Sequence, residues 1–189
     1  RLLDAKLRAA RAIGPEFAEL VAAVRDLCLR GGKRLRPALL IAGYRAASAR
    51  APLDPALDAG VALELLQSYF LIHDDWMDGD TVRRGGPAVH VMLGKRFGST
   101  ALGERAGVLA GDYAAALAAE AIAKVAAAPA RLARVGAAFA EMQLDVVAGQ
   151  QLDLLGKSAR FEDVYTLKTT AYTVRGPLRI GALLGGASA

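Results

Sequence analysis

With 189 residues the chain is long enough for one domain with a sizeable core, and its 54% hydrophobic content against 6% aromatics is an alanine- and leucine-rich balance that favours helix. The net charge of +5 comes from basic residues that are scattered or set into helix corners. Without a basic stripe or an aromatic stacking pattern it argues against nucleic acid as a partner. The single cysteine, Cys28, excludes an internal disulfide, fits a reducing cytoplasm and reads as a small buried hydrophobe rather than a nucleophile.

Apolar periodicity and breakers predict helices over residues 2–12, 15–30, 37–49, 55–76, 88–97, 102–127, 130–155, 161–174 and 177–184. Breaks fall at Gly14-Pro15, Gly31-Gly32, Pro52, Gly85-Gly86-Pro87, Gly98, Pro129 and Gly176-Pro177, where glycine or proline interrupts the pattern. Alternating β-branched runs are almost absent, so strands are disfavoured. No secretory signal opens the chain and no internal repeat or dividing linker is visible. The stretch 114–128 carries Glu120 and Lys124, which leaves no apolar run of membrane-spanning length. The expectation is a single all-α domain over residues 1–189, cytoplasmic, without stable membrane insertion.

Two corners carry chemistry. The first, Gly31-Gly32-Lys33-Arg34-Leu35-Arg36-Pro37, follows an amphipathic helix marked by Phe17, Leu20, Val21, Val24 and Leu27. Its glycines end one helix and allow close backbone approach, and Pro37 suits the first turn of the next. Three cations therefore sit at a helix start, where the dipole also favours an anion. Alone, the corner also admits the reading of a helix–helix turn with snorkelling cations.

The second corner runs from His73 to Arg84 and places four aspartates and two adjacent arginines in twelve residues. If the segment is helical, Asp74 and Asp78 share one face, with Asp75 close by. Hard divalent cations such as Mg²⁺ take such oxygen ligands and share them with substrate phosphates. Arg83 and Arg84 supply forked donors for phosphate oxygens. A solvated acidic turn is the bland alternative. A basic corner together with an acidic-then-basic corner points instead to two diphosphates.

The chain resembles the trans-isoprenyl diphosphate synthases, or polyprenyl synthetases. GGKRLRP (31–37), LIHDDWMDGDTVRRGGPAVH (71–90), LAGDY (109–113), GQQLDL (149–154) and LKTTAYT (167–173) occur in the family's order. The resemblance implies an isoprenoid-synthase-type helical bundle around a central cavity, usually dimerised through helices like those at 102–127 and 130–155. It implies that Lys33, Arg36 and Arg84 hold the diphosphate of isopentenyl diphosphate, with Gln67 at a position often occupied by histidine. Asp74 and Asp78 would ligate Mg²⁺ bridging the allylic diphosphate, Asp75 would orient that shell, and Asp80 would lie outside it. Arg83 would bind the allylic diphosphate. Lys168 would approach the leaving diphosphate, and the Thr169 hydroxyl would fit at a helix irregularity. His73 and His90 are read as hydrogen-bonding residues rather than metal ligands.

The activity so implied is ionisation of an allylic diphosphate (dimethylallyl or geranyl), condensation with isopentenyl diphosphate and elimination of a proton. Tyr69 and Phe70, just before Asp74, would plug the cavity and stop growth at C15 farnesyl diphosphate. C20 geranylgeranyl diphosphate is the alternative product, and a non-catalytic partner subunit the alternative role. A terpene cyclase of the same helical class has no use for the Lys33–Arg36 corner. The family's second aspartate-rich motif is missing, because Asp145 and Asp153 do not form one. The chain stops within an apolar pattern of Ile180, Leu183 and Leu184, which suggests an incomplete piece with no helix cap at its end.

Overall fold

Helix boundaries follow the glycines and prolines closely. In the computed structural model, which describes residues 1–155 and 165–188, α1 (Leu2–Ile13) stops at Gly14 and α2 (Pro15–Leu29) begins on proline, whose missing N–H is unneeded in a first turn. Next come α3 (Leu35–Ala47), α4 (Asp54–Asp78), α5 (Val89–Phe97), α6 (Thr100–Ala123) and α7 (Pro129–Leu155). A π-helix, π1 (Tyr165–Arg175), then runs into α8 (Gly176–Gly185). Pro177 near the start of α8 cannot donate a backbone hydrogen bond, and the winding changes there rather than the chain breaking. The first residues of the helix expected at 161–174 lie outside the described part, as do the side chains of Lys168 and Thr169.

The chain forms two compact units, one from Arg1–Lys33 with Glu64–Ala119, the other from Arg34–Leu63 with Glu120–Ala189. In the first, α2 packs on α1 and α5, and Val21, Val24, Leu27, Ile72 and Leu93 are buried. In the second, α3 and α8 meet backbone to backbone. A Cβ at Gly43 would stand 2.2 Å from the Leu178 carbonyl oxygen, and one at Gly181 1.9 Å from that of Leu40. Only glycine lets the two helices approach so far. Leu40, Tyr44, Val135, Phe139, Ile180 and Leu184 are buried in this unit.

The all-helical expectation holds among the described residues, with one exception. Val82–Arg83 and Gly86–Pro87 form a two-stranded antiparallel hairpin, although strands were disfavoured by the sequence. Two residues per strand are too few to leave a periodic signal. A second correction concerns α6, which by length and composition could cross a membrane, where no such run was expected. Its Ala110, Ala114, Leu117 and Ala118 are buried in the protein. A third concerns α8, which is capped after all. Gly186 adopts φ 103°, and Gly186 N–H and Ala187 N–H donate to Leu183 and Ala182 carbonyls, closing a Schellman motif.

Candidate functional site

α4 ends in an unfavourable place for the residues it carries. Asp74, Asp75 and Asp78 fall in its last five residues, with no basic residue among them. The carbonyl end of a helix is the negative end of its dipole, so carboxylates there are disfavoured unless a cation joins them. Gly79, at φ 70°, terminates the helix. Asp80 N–H donates to the Asp75 carbonyl at 2.8 Å and Gly79 N–H to that of Trp76 at 3.4 Å. The helix therefore closes on Asp78, and the chain folds back so that Asp80 faces the same region.

The aspartates differ sharply in environment. Asp75 is fully buried, Asp74 is partly exposed at 27%, and Asp78 is exposed. Arg83 Nε donates to Asp75 Oδ1 at 2.5 Å. Its Nη2 also contacts that oxygen and reaches Asp80 Oδ2 at 3.0 Å and Asp74 Oδ2 at 4.0 Å. Burial pushes the Asp75 carboxyl up from the usual range, against the hydrogen bond and charge of Arg83. Arg83 is in turn held up by its hydrogen bond to Asp75. Asp75 Oδ2 is buried and has no hydrogen-bond partner among the described residues. Asp75 thus anchors Arg83, while Asp74 is partly exposed and Asp78 is exposed.

Arg83 and Arg84 are presented by the hairpin. Its two-residue turn has Arg84 at φ 51° and Gly85 at φ 73°, the type I′ pattern that matches strand twist. Arg84 and Arg34 (φ 49°) are the non-glycine residues at positive φ among the described part. Both are arginines in the two corners singled out from sequence, and such strain concentrates at functional positions.

The corners also meet inside the first unit. The Arg84 guanidinium lies over Gly32, where a Cβ would be 3.2 Å from Nη2, and Nη1 is 3.5 Å from the Leu27 carbonyl oxygen. Gly31 and Gly32 both have positive φ, at 92° and 132°, and the exposed Lys33 follows them. Arg36 lies in the second unit. There its Nη2 donates to Thr173 Oγ1 at 3.0 Å, and its guanidinium sits 4.1 Å from the centroid of the Tyr172 ring.

Seven residues before Asp74, two helical turns back, Gln67 falls on the same face of α4. Tyr69 and Phe70 touch, with ring centroids 4.7 Å apart, and Tyr69 also meets the His73 ring at 4.8 Å. Burial and the Asp112 charge raise the Tyr69 hydroxyl pKa. His73 Nε2 lies 3.0 Å from the Val108 carbonyl oxygen and 3.7 Å from Asp112 Oδ1. Gly111 makes room for that ring, since a Cβ there would stand 2.2 Å from Nε2. His73 is thus spent on α6. Cys28 is buried and donates to Ser68 Oγ at 3.1 Å. One residue the sequence reading passed over is Arg30, whose side chain reaches the carbonyls of Arg83 and Pro87. It stood at the end of a helix, with partners more than fifty positions away.

The polyprenyl synthetase family model matches residues 18–189. The chain belongs to the polyprenyl synthetase family. Among relatives, it is 39% identical over 177 residues to the geranylgeranyl diphosphate synthase of Methanosarcina mazei, covering 90% of this chain and 51% of that protein. It is 36% identical over 177 residues to the probable farnesyl diphosphate synthase of Sinorhizobium fredii, covering 87% and 49%. A solved geranylgeranyl pyrophosphate synthase of Corynebacterium glutamicum, complexed with isoprenyl diphosphate and magnesium, superposes with a TM-score of 0.88 at 32% identity, covering 98% of this chain and 57% of that one. The chain spans about half the length of the curated relatives it matches.

Proposed function

We propose that the protein is a short-chain trans-prenyltransferase, joining isopentenyl diphosphate to an allylic diphosphate such as dimethylallyl or geranyl diphosphate. The observation that carries the reading is the end of α4, where Asp74 and Asp78 lie on one face at a helix terminus that repels them. Directly after them the Arg83-Arg84 hairpin docks on Gly32. Membership of the polyprenyl synthetases and the similarity to synthases of both C15 and C20 products support it.

The donor set fits Mg²⁺. Among the described residues no three carboxylate, imidazole or thiolate groups gather as a protein-only metal cage. Mg²⁺ is bound by one or two carboxylates and completes its shell with water and phosphate oxygens. Asp74 and Asp78 would hold it, and when bound it would supply charge neutralisation to a departing diphosphate. Arg83 adds a fixed positive charge that Asp75 keeps in place, so no reorganisation is needed as negative charge develops. Lys168 would approach the same leaving group. The resemblance assigns Lys33, Arg36, Arg84 and Gln67 to the isopentenyl diphosphate, whose double bond would attack the allylic carbon. Bond formation there is balanced by loss of diphosphate and then of a proton, for which the released diphosphate is an acceptor. Thr169 would fix the backbone where π1 departs from α-helical winding.

For the product we favour C15 farnesyl diphosphate, with Tyr69 and Phe70 blocking further growth. C20 geranylgeranyl diphosphate is the second reading, favoured by the Methanosarcina relative and by the contact that draws Tyr69 toward His73. The working form is read as a cytoplasmic homodimer. A non-catalytic partner subunit would have no need to retain Asp74, Asp78, Arg83, Arg84 and Lys33 together. The test is incubation of the full-length protein with labelled isopentenyl diphosphate, each allylic primer and Mg²⁺. Mg²⁺-dependent formation of a C15 or C20 prenyl diphosphate is expected, and absence of incorporation with every primer would refute the activity.

A further inference from the structure

Arg30 has no role in the reading above, yet its side chain is only 13% exposed and makes four polar contacts. Nε and Nη2 both meet Asp26 Oδ2, at 2.8 and 2.5 Å, one turn back on α2. That pairing turns Nη1 toward the hairpin, where it donates to the Arg83 carbonyl at 3.1 Å and to the Pro87 carbonyl at 2.7 Å. One carbonyl belongs to each strand. A single guanidinium nitrogen therefore bridges the two strands that carry the Arg83-Arg84 turn.

Gly86 is the complementary half of the contact. A Cβ there would stand 2.7 Å from both Cζ and Nη1 of Arg30. Gly86 is not among the positive-φ glycines, so its backbone would accept a side chain. What its lack of one provides is space for Arg30. A hairpin of two pairs has little stability of its own, and Arg84 occupies a left-handed conformation that a non-glycine residue resists. Its shape must be imposed from outside. A cation placed beside two diphosphate-binding arginines adds repulsion, which the Asp26 carboxylate offsets. An apolar prop would serve stability alone without that conflict.

We propose that Arg30 is a positioning residue: clamped by Asp26, it holds both strands of the hairpin so that Arg83 and Arg84 meet the diphosphates in one fixed geometry. This rests on the prenyltransferase reading. Lysine cannot substitute, because a single ammonium lacks the planar fork that faces the carboxylate on one edge and the carbonyls on the other.

The experiment compares wild type, Arg30→Lys, Arg30→Met, Gly86→Ala and the Arg30→Met/Gly86→Ala double variant in the full-length protein. Steady-state kinetics give KM and kcat for both substrates, calorimetry gives Mg²⁺-dependent affinity for inorganic pyrophosphate, and melting temperature controls for folding. Both Arg30 variants should weaken pyrophosphate binding, raise KM by about tenfold and also lower kcat by about tenfold, because Arg83 meets the charge that develops on the departing diphosphate as well as the bound ground state. Gly86→Ala should reproduce the effect and add nothing in the Arg30→Met background, because both changes remove one interaction. Since Gly86→Ala leaves Arg30 and its charge in place, it keeps the test open if the Arg30 variants fold poorly. Unchanged KM and pyrophosphate affinity in folded variants of an active enzyme, or additive effects in the double variant, would overturn the role of Arg30 alone. A wild type that neither turns over nor binds pyrophosphate would overturn the prenyltransferase reading and this inference with it.

Discussion

Tyr69 and Phe70 are chain neighbours that face different company. Phe70 lies four residues before Asp74, one turn back on its face of α4. Tyr69 lies four residues before His73 and packs on that ring, which is itself held to the Val108 carbonyl on α6. A prenyl tail extending from a diphosphate held at Asp74 would run along the Phe70 face first. Phe70→Ala should therefore lengthen the main product by one or more isoprene units, as read by mass spectrometry, and Tyr69→Ala should shift it less. The double variant should give the longest chains. A product distribution unmoved by Phe70→Ala would place the chain-length stop elsewhere. The same distinction of neighbours holds for Asp74 and Asp75, of which one is partly exposed and the other is buried against Arg83.

At the level of elements, the role proposed for the hairpin can be weighed against its stability. Arg84 at φ 51° bears the strain of a left-handed residue, roughly 1 kcal/mol relative to glycine. Its one carbonyl contact, at 3.5 Å to Leu27, is too long to repay that. Arg84→Gly should therefore leave unfolding free energy in urea unchanged or raised by about 1 kcal/mol, while KM for isopentenyl diphosphate rises about tenfold or more. A clear loss of stability with unchanged KM would make Arg84 a structural residue. The hairpin was not legible in the sequence, and π1 was legible as a helix over 161–174 but not as π winding. A strand of two residues has no period, and the turn uses Arg-Gly where Asn-Gly is the usual signal. The helices were legible because Gly14-Pro15, Gly31-Gly32, Gly98 and Pro129 punctuate a strong apolar pattern. Their ends moved where that punctuation was weak. α4 runs on to Asp78 because Gly79 rather than Trp76 stops it, and α6 ends at Ala123, where no glycine or proline marks the stop before Pro129. The acidic and basic corners were legible because their charges are concentrated. What the sequence hid was that the Arg84 guanidinium covers Gly32 and that Arg30 stands behind the hairpin, both contacts between residues more than fifty positions apart.

For the whole molecule, α6 and α7 each present large apolar residues to solvent. On α6 these include Leu102 and Leu109, and on α7 Leu144, Val147, Leu154 and Leu155, at 47–71% exposure. Helices apolar on more than one face are buried on more than one side, and a second copy of the chain is the cover we propose. Light scattering on the full-length protein at micromolar concentration should give the mass of a dimer, and a monomer would contradict that assembly.

The central claim is that Asp74 and Asp78 hold the metal that the allylic diphosphate shares. Its most direct test is Mg²⁺-dependent turnover of the full-length protein carrying Asp74→Ala or Asp78→Ala, alongside helical circular dichroism. Because Asp74 is only partly covered and Asp78 is exposed, each change should leave helix content intact and unfolding free energy within about 1 kcal/mol of wild type. Turnover should fall to background in both. Undiminished Mg²⁺-dependent condensation by either variant would contradict the assignment.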